Sequence, residues 1–160
     1  MLKKRILPAL GILFVLIQLV RIDKTNPPVD PQHDFQAVAQ PPAAVLQTMR
    51  EACYDCHSNE TQYPWYSNVA PVSWWLKGHV KEARKHLNFS TFGTLPVDKQ
   101  LHKLEESAEA VRDGWMPMKS YTWMHGAAKL SDEQRALLAQ WFASYRPVET
   151  RLGEQGDAAE

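Results

Sequence analysis

The sequence predicts an all-α fold. Three observations carry that prediction. Four segments place apolar residues at helical spacing, proline and glycine mark the loops between them, and runs that alternate apolar with polar residues are few. A chain of 160 residues has room for one compact domain with appendages.

Taken in order, the chain opens with Lys3, Lys4 and Arg5, followed by an apolar run from Ile6 to Val20 broken only by Gln18. A basic cluster ahead of an apolar stretch is the layout of an export signal. No small-x-small cleavage site follows directly, and Ala37-x-Ala39 lies too far downstream. The segment 1–22 is therefore expected to be an uncleaved signal anchor, with cleavage as the alternative. As a helix the run rises about 22 Å against a hydrocarbon core of about 30 Å. Snorkelling by Arg5 and Arg21 is expected to close that gap. By the positive-inside rule, the expected location is the bacterial inner membrane, single-pass, with the domain facing the periplasm.

Residues 23–42 hold Pro27, Pro28, Pro31, Pro41 and Pro42 with little periodicity and are expected to form an extended tether. The domain proper is expected over 43–146. Val45, Met49, Ala52, Cys53 and Cys56 predict a helix over 43–56, and residues 58–70 read as a loop. Leu76, Val80, Ala83 and Leu87 predict a second helix over 71–87. Gly93 and Pro96 break the chain before Leu101, Leu104, Ala108 and Val111, which predict a third over 97–112. Gly114 stands where that helix stops. A loop over 115–130 is expected to hold a short helix near Tyr121–Ala127. Ser131 and Gln134 form a capping box for a last helix ended by Pro147. Residues 147–160 are expected to be a flexible acidic tail.

Composition narrows the function. Lys+Arg and Asp+Glu both number 18, so the chain lacks the basic excess of a generic nucleic-acid binder. Its positive excess is confined to the N-terminus, where Lys3, Lys4, Arg5, Arg21 and Lys24 face Asp23 alone. Two cysteines cannot staple a disulfide scaffold.

Those two cysteines occur as Cys53-Tyr54-Asp55-Cys56, and His57 follows. A thioredoxin-like dithiol wants a βαβ setting that this chain does not offer, and zinc wants a second ligand pair. The spacing C-x-x-C-H suits covalent attachment of haem. Two thiols three positions apart each bond a vinyl group, and the next residue's imidazole is held under the macrocycle. The expected cofactor is one haem c, bound by Cys53 and Cys56, with His57 on the iron. The expected distal ligand is Met116, in Gly114-Trp115-Met116-Pro117 ahead of the final helix. A thioether raises the reduction potential, and the proline fixes the loop beside it. Met118 and Met124 are the alternative sulfur ligands and His125 the alternative nitrogen ligand.

Six tryptophans suit the apolar wall that a haem needs in a small protein, and Trp115 is the expected haem neighbour. His79, His86 and His102 fall on helices and are read as packing or solvent-facing. Lys77, Lys81 and Lys85, with Arg84, form a stripe read as a solvated helix face.

Several stretches together carry a resemblance. They are Cys53-Tyr-Asp-Cys56-His57-Ser58-Asn59 with Thr61, Pro64-Trp65-Tyr66-Ser67, Ala70-Pro71-Val72-Ser73-Trp74, Leu87-Asn88-Phe89-Ser90, and Met116-Pro117 with Tyr121 and His125. With Thr25-Asn26-Pro27-Pro28, they resemble the bacterial haem-binding domain family, a cytochrome-c-like group, over about residues 25–145. Met118 stands where the family pattern favours a second proline. The resemblance implies a cytochrome-c-like helical domain and covalent haem binding.

The leading functional expectation is a membrane-tethered monohaem cytochrome, transferring single electrons to a periplasmic or membrane redox protein and having no catalytic residues. A haem-based sensor or accessory domain is the second reading, and a peroxidase-like enzyme using His125 or Tyr121 the third.

Overall fold

The computed structural model describes residues 2–147, with side chains from Ile6 onward. Apart from Pro147, the expected acidic tail lies outside the described residues. No strand occurs among those described. The helices are α1 (Leu2–Ile17), α2 (Phe35–Ala39), α3 (Ala43–Ala52), α4 (Tyr54–His57), α5 (Val72–His86), α6 (Val97–Arg112), α7 (Lys119–Thr122) and α8 (Asp132–Ser144). Short 3-10 turns at Trp65–Asn68, Phe89–Thr94 and Gly126–Ala128 complete the chain.

The expectation of a membrane anchor, and with it a single-pass inner-membrane location, is overturned at the N-terminus. Among the described residues no helix is long and apolar enough to cross a membrane. The helix α1 has 16 residues, carries Pro8 inside, and rises about 24 Å against the roughly 30 Å required. Gln18 explains where it stops. Its amide donates to the carbonyls of Phe14 at 2.8 Å and Ala70 at 3.1 Å, while its Oε1 accepts the Ala70 N–H at 2.8 Å. The residue that interrupts the apolar run thus turns the chain toward the domain. Trp74 Nε1 then donates to the Val20 carbonyl at 2.9 Å.

The segment expected to be an extended tether is packed onto the domain at Phe35. Phe35 is completely buried and belongs to the main core cluster. Its ring meets Phe89, Phe92 and Trp141 at centroid distances of 5.1, 4.9 and 5.7 Å. Gly93 makes this approach possible. Its N–H donates to the His33 carbonyl at 2.8 Å, and a Cβ there would lie 2.8 Å from Val38 Cγ2. Prolines set the path of this segment, but one aromatic side chain ties it to the core.

The predicted helix over 43–56 is two helices. Cys53 adopts φ −126° between α3 and α4, so the chain kinks at the first cysteine. The Cys53 N–H still bonds back to the Met49 carbonyl at 2.8 Å, and its own carbonyl accepts from His57 N–H at 2.9 Å. Both sides therefore keep helical bonding around the kink. The third and last helices follow the sequence closely. Gly114 takes φ 77° just past α6, as a left-handed C-terminal residue does. Ser131 Oγ accepts the Gln134 N–H at 3.2 Å, and Gln134 Oε1 accepts the Ser131 N–H at 2.9 Å. The core joins Val45 and Met49 of α3, Leu104 and Val111 of α6, and Leu138 and Phe142 of α8.

Candidate functional site

The site is built on the kinked α3–α4 segment. Cys53, His57 and Met116 line one open-sided cavity of about 170 Å³. Leu87, Phe89 and Phe142 supply much of its apolar wall, and Lys103 with Glu106 stand in its lining as a 2.7 Å ion pair.

Backbone carbonyls hold the His57 ring. Its Nδ1 lies 3.0 Å from the Leu87 carbonyl. A carbonyl only accepts, so Nδ1 carries the proton and the lone pair sits on Nε2. Burial lowers the His57 pKa, which favours the neutral ring. A neutral imidazole with one nitrogen committed to a carbonyl is the usual state of a metal-ligating histidine.

Leu87 is held in turn by a buried polar network. Asn88 Nδ2 donates to Asn59 Oδ1 at 2.9 Å, Asn59 Nδ2 donates to the Pro28 carbonyl at 3.0 Å, and Asn59 N–H donates to Ser90 Oγ at 3.0 Å. Arg84 closes the network. Its Nε donates to the Ser58 carbonyl at 2.7 Å, and its Nη2 donates to Asn26 Oδ1 and Thr61 Oγ1, both at 2.9 Å. Arg84 is therefore not part of a solvated stripe. It clamps the turn after His57 to the N-terminal segment.

The two thiols are not thiolates. Burial, then the neighbouring Cys56, pushes the Cys53 pKa up to about 12. Burial and Asp55 push Cys56 up to about 11, against the pull of Arg84. Such groups are poor redox nucleophiles near neutral pH. Both cysteines are partly buried and unpaired with each other. Cys56 lies outside the cavity lining, close enough to Tyr66 and Tyr121 to affect both phenols.

Met116 is held from both sides of its own backbone. Its N–H donates to the Ala110 carbonyl at 3.0 Å, and its carbonyl accepts from Arg135 Nη1 at 3.0 Å. The same Arg135 nitrogen also bonds the Val111 carbonyl. The other ligand candidates are elsewhere. Met118 precedes α7, Met124 is mostly exposed, and neither lines the cavity. His125 also lies outside the lining. Its ring stacks on Tyr121 at 4.1 Å and meets Tyr66 at 6.0 Å. Its Nδ1–H donates to the Tyr121 carbonyl at 3.2 Å.

Trp115 is three-quarters exposed and makes no part of the wall. It sits between the Gly114 turn and Met116, and its neighbour takes the inward position. Phenylalanines build the wall instead, while Trp65 and Trp123 are also largely exposed. His86, read as a packing or solvent-facing residue, is among the residues that line the cavity. His79 lies tilted against Trp75 at 4.1 Å, and His102 pairs with Glu106 at 3.3 Å. Arg84, Arg135 and the Leu87 carbonyl are not marked by any motif, since each acts on partners far away in the sequence.

A neutral imidazole and a thioether facing one apolar cavity form a donor set suited to haem iron. Residues 12–144 match the family described as Haem-binding domain. The chain belongs to that haem-binding domain family. No curated protein and no solved structure matches it.

Proposed function

We propose that this haem-binding chain is a monohaem c-type cytochrome that passes single electrons to a redox protein partner. In this reading Cys53 and Cys56 would hold the haem through thioethers, and His57 Nε2 and the Met116 thioether would be the ligands to its iron. Haem supplies a one-electron ferric/ferrous couple, whose potential a thioether ligand raises. The chain's own part is to orient His57 through Leu87, to keep Met116 at the cavity through Ala110 and Arg135, and to exclude water with Phe89 and Phe142.

One observation carries the reading. Cys53, His57 and Met116 line the same cavity, with the bonded nitrogen of His57 leaving Nε2 available. The raised thiol pKa values add support, because they disfavour a thiolate redox pair. The test is extraction with acid-acetone after expression beside haem-maturation machinery, followed by intact mass. The expected result is one haem that stays with the chain. Haem that extracts completely contradicts covalent attachment. Fast carbon monoxide binding to the reduced protein would instead favour a gas-sensing role.

A further inference from the structure

The segment carrying Met116 has little apolar grip on the domain beyond it. None of the residues of α7 is buried, and Trp123 and Met124 are exposed. A polar contact ties this segment to the one that carries the two cysteines. The Tyr121 hydroxyl donates to Asp55 Oδ2 at 2.7 Å, joining residues 66 positions apart. Asp55 lies between the two cysteines, and His57 is two residues further on.

Both partners are pre-set for this bond. Asp55 Oδ1 accepts the Gln62 N–H at 3.0 Å, and its backbone carbonyl accepts from Thr61 Oγ1 at 2.7 Å. These contacts aim the second carboxylate oxygen outward. The Tyr121 ring lies against His125 at an interplanar angle of 20°, so its position does not depend on the hydroxyl alone. A phenol donating to a carboxylate is among the stronger neutral–charged hydrogen bonds.

We propose that Tyr121 and Asp55 form a clasp at the Cys56 edge of the site that keeps Met116 on the iron. This rests on the reading of Met116 as distal ligand. Arg135 anchors the near end of the Met116 loop, and the clasp anchors its far end to the peptide that carries His57. Tyr121 and Asp55 are positioning residues, since neither lines the cavity. Opening the clasp frees the loop to lift, and an exogenous ligand then competes more easily for the iron.

The test titrates imidazole into the oxidised holoprotein and follows loss of the weak far-red Met-to-iron band. Tyr121→Phe keeps the ring and its stack on His125. The expected result is displacement at an imidazole concentration about tenfold lower, the effect of losing one charge-assisted bond. Asp55→Ala should give a similar shift, and the double variant no more than either single one. A role in general stability alone would move the denaturation midpoint and leave imidazole affinity unchanged, which overturns the clasp. Additive single effects overturn it too. Tyr121→Phe carries the test by itself if Asp55→Ala fails to accumulate. A wild-type spectrum without the far-red band overturns the Met116 reading beneath the clasp, a failure distinct from an unchanged Tyr121→Phe.

Discussion

The two sides of the cavity are held by different physics. On the His57 side, a buried network of Asn59, Asn88, Ser90 and Arg84 sits beside a stack of Tyr54 on Phe89 at 5.1 Å. On the Met116 side, the loop from Trp115 to Gly126 buries little and is fixed by a few long-range polar bonds. Breaking the first side removes packing and strands buried polar groups. Breaking the second removes single bonds and leaves the core intact. Under the proposed ligation, the difference suits one rigid ligand, His57, and one displaceable ligand, Met116.

Perturbations should rank in that order. The largest effect is expected at Phe35, which the structure moves from a tether into the core. Phe35→Ala should destabilise the protein by about 3–5 kcal/mol in a denaturant titration. A cost below about 1 kcal/mol, as for an exposed residue, would return the segment to a tether. Next comes Arg84→Ala, which removes three hydrogen bonds and leaves the buried Ser58 short of a partner. The expected loss is about 3 kcal/mol by the same titration, and a neutral result would return Arg84 to the solvated stripe.

Smaller effects should mark the Met116 side. Arg135→Ala removes the Nη1 donor that bonds both the Met116 and the Val111 carbonyls. It should weaken the far-red band while costing only about 1 kcal/mol of stability. A large stability loss with an unchanged band would reverse the comparison. Ser131→Ala removes the capping-box acceptor of α8 and should cost about 1 kcal/mol in thermal unfolding, with no spectral change.

Legibility follows the same divide. Local signals were readable. The spacing of Leu104, Ala108 and Val111 matched α6, Gly114 ended it, and Ser131 with Gln134 capped α8. The motifs Cys53-x-x-Cys56-His57 and Met116-Pro117 pointed to Cys53, His57 and Met116, which line one cavity; Cys56 and Pro117 do not. What depends on distant partners was not readable. A lone Phe35 among prolines gives no periodicity, so its burial was hidden. Gln18 looked like a blemish in an apolar run, but its partner Ala70 lies 52 positions away. Asp55 was only a filler between cysteines until Tyr121 met it. Tryptophan content suggested a wall, yet exposure is decided by which face each turn presents, and Trp115 fell outward.

The most direct test of the account is the absorption spectrum of oxidised and reduced protein, taken for wild type and for Met116→Ala. The account predicts low-spin iron in both oxidation states of the wild type, with a weak far-red band when oxidised. In Met116→Ala that band should vanish while the haem stays attached. A high-spin, five-coordinate oxidised wild type, or a band that survives in Met116→Ala, would contradict it.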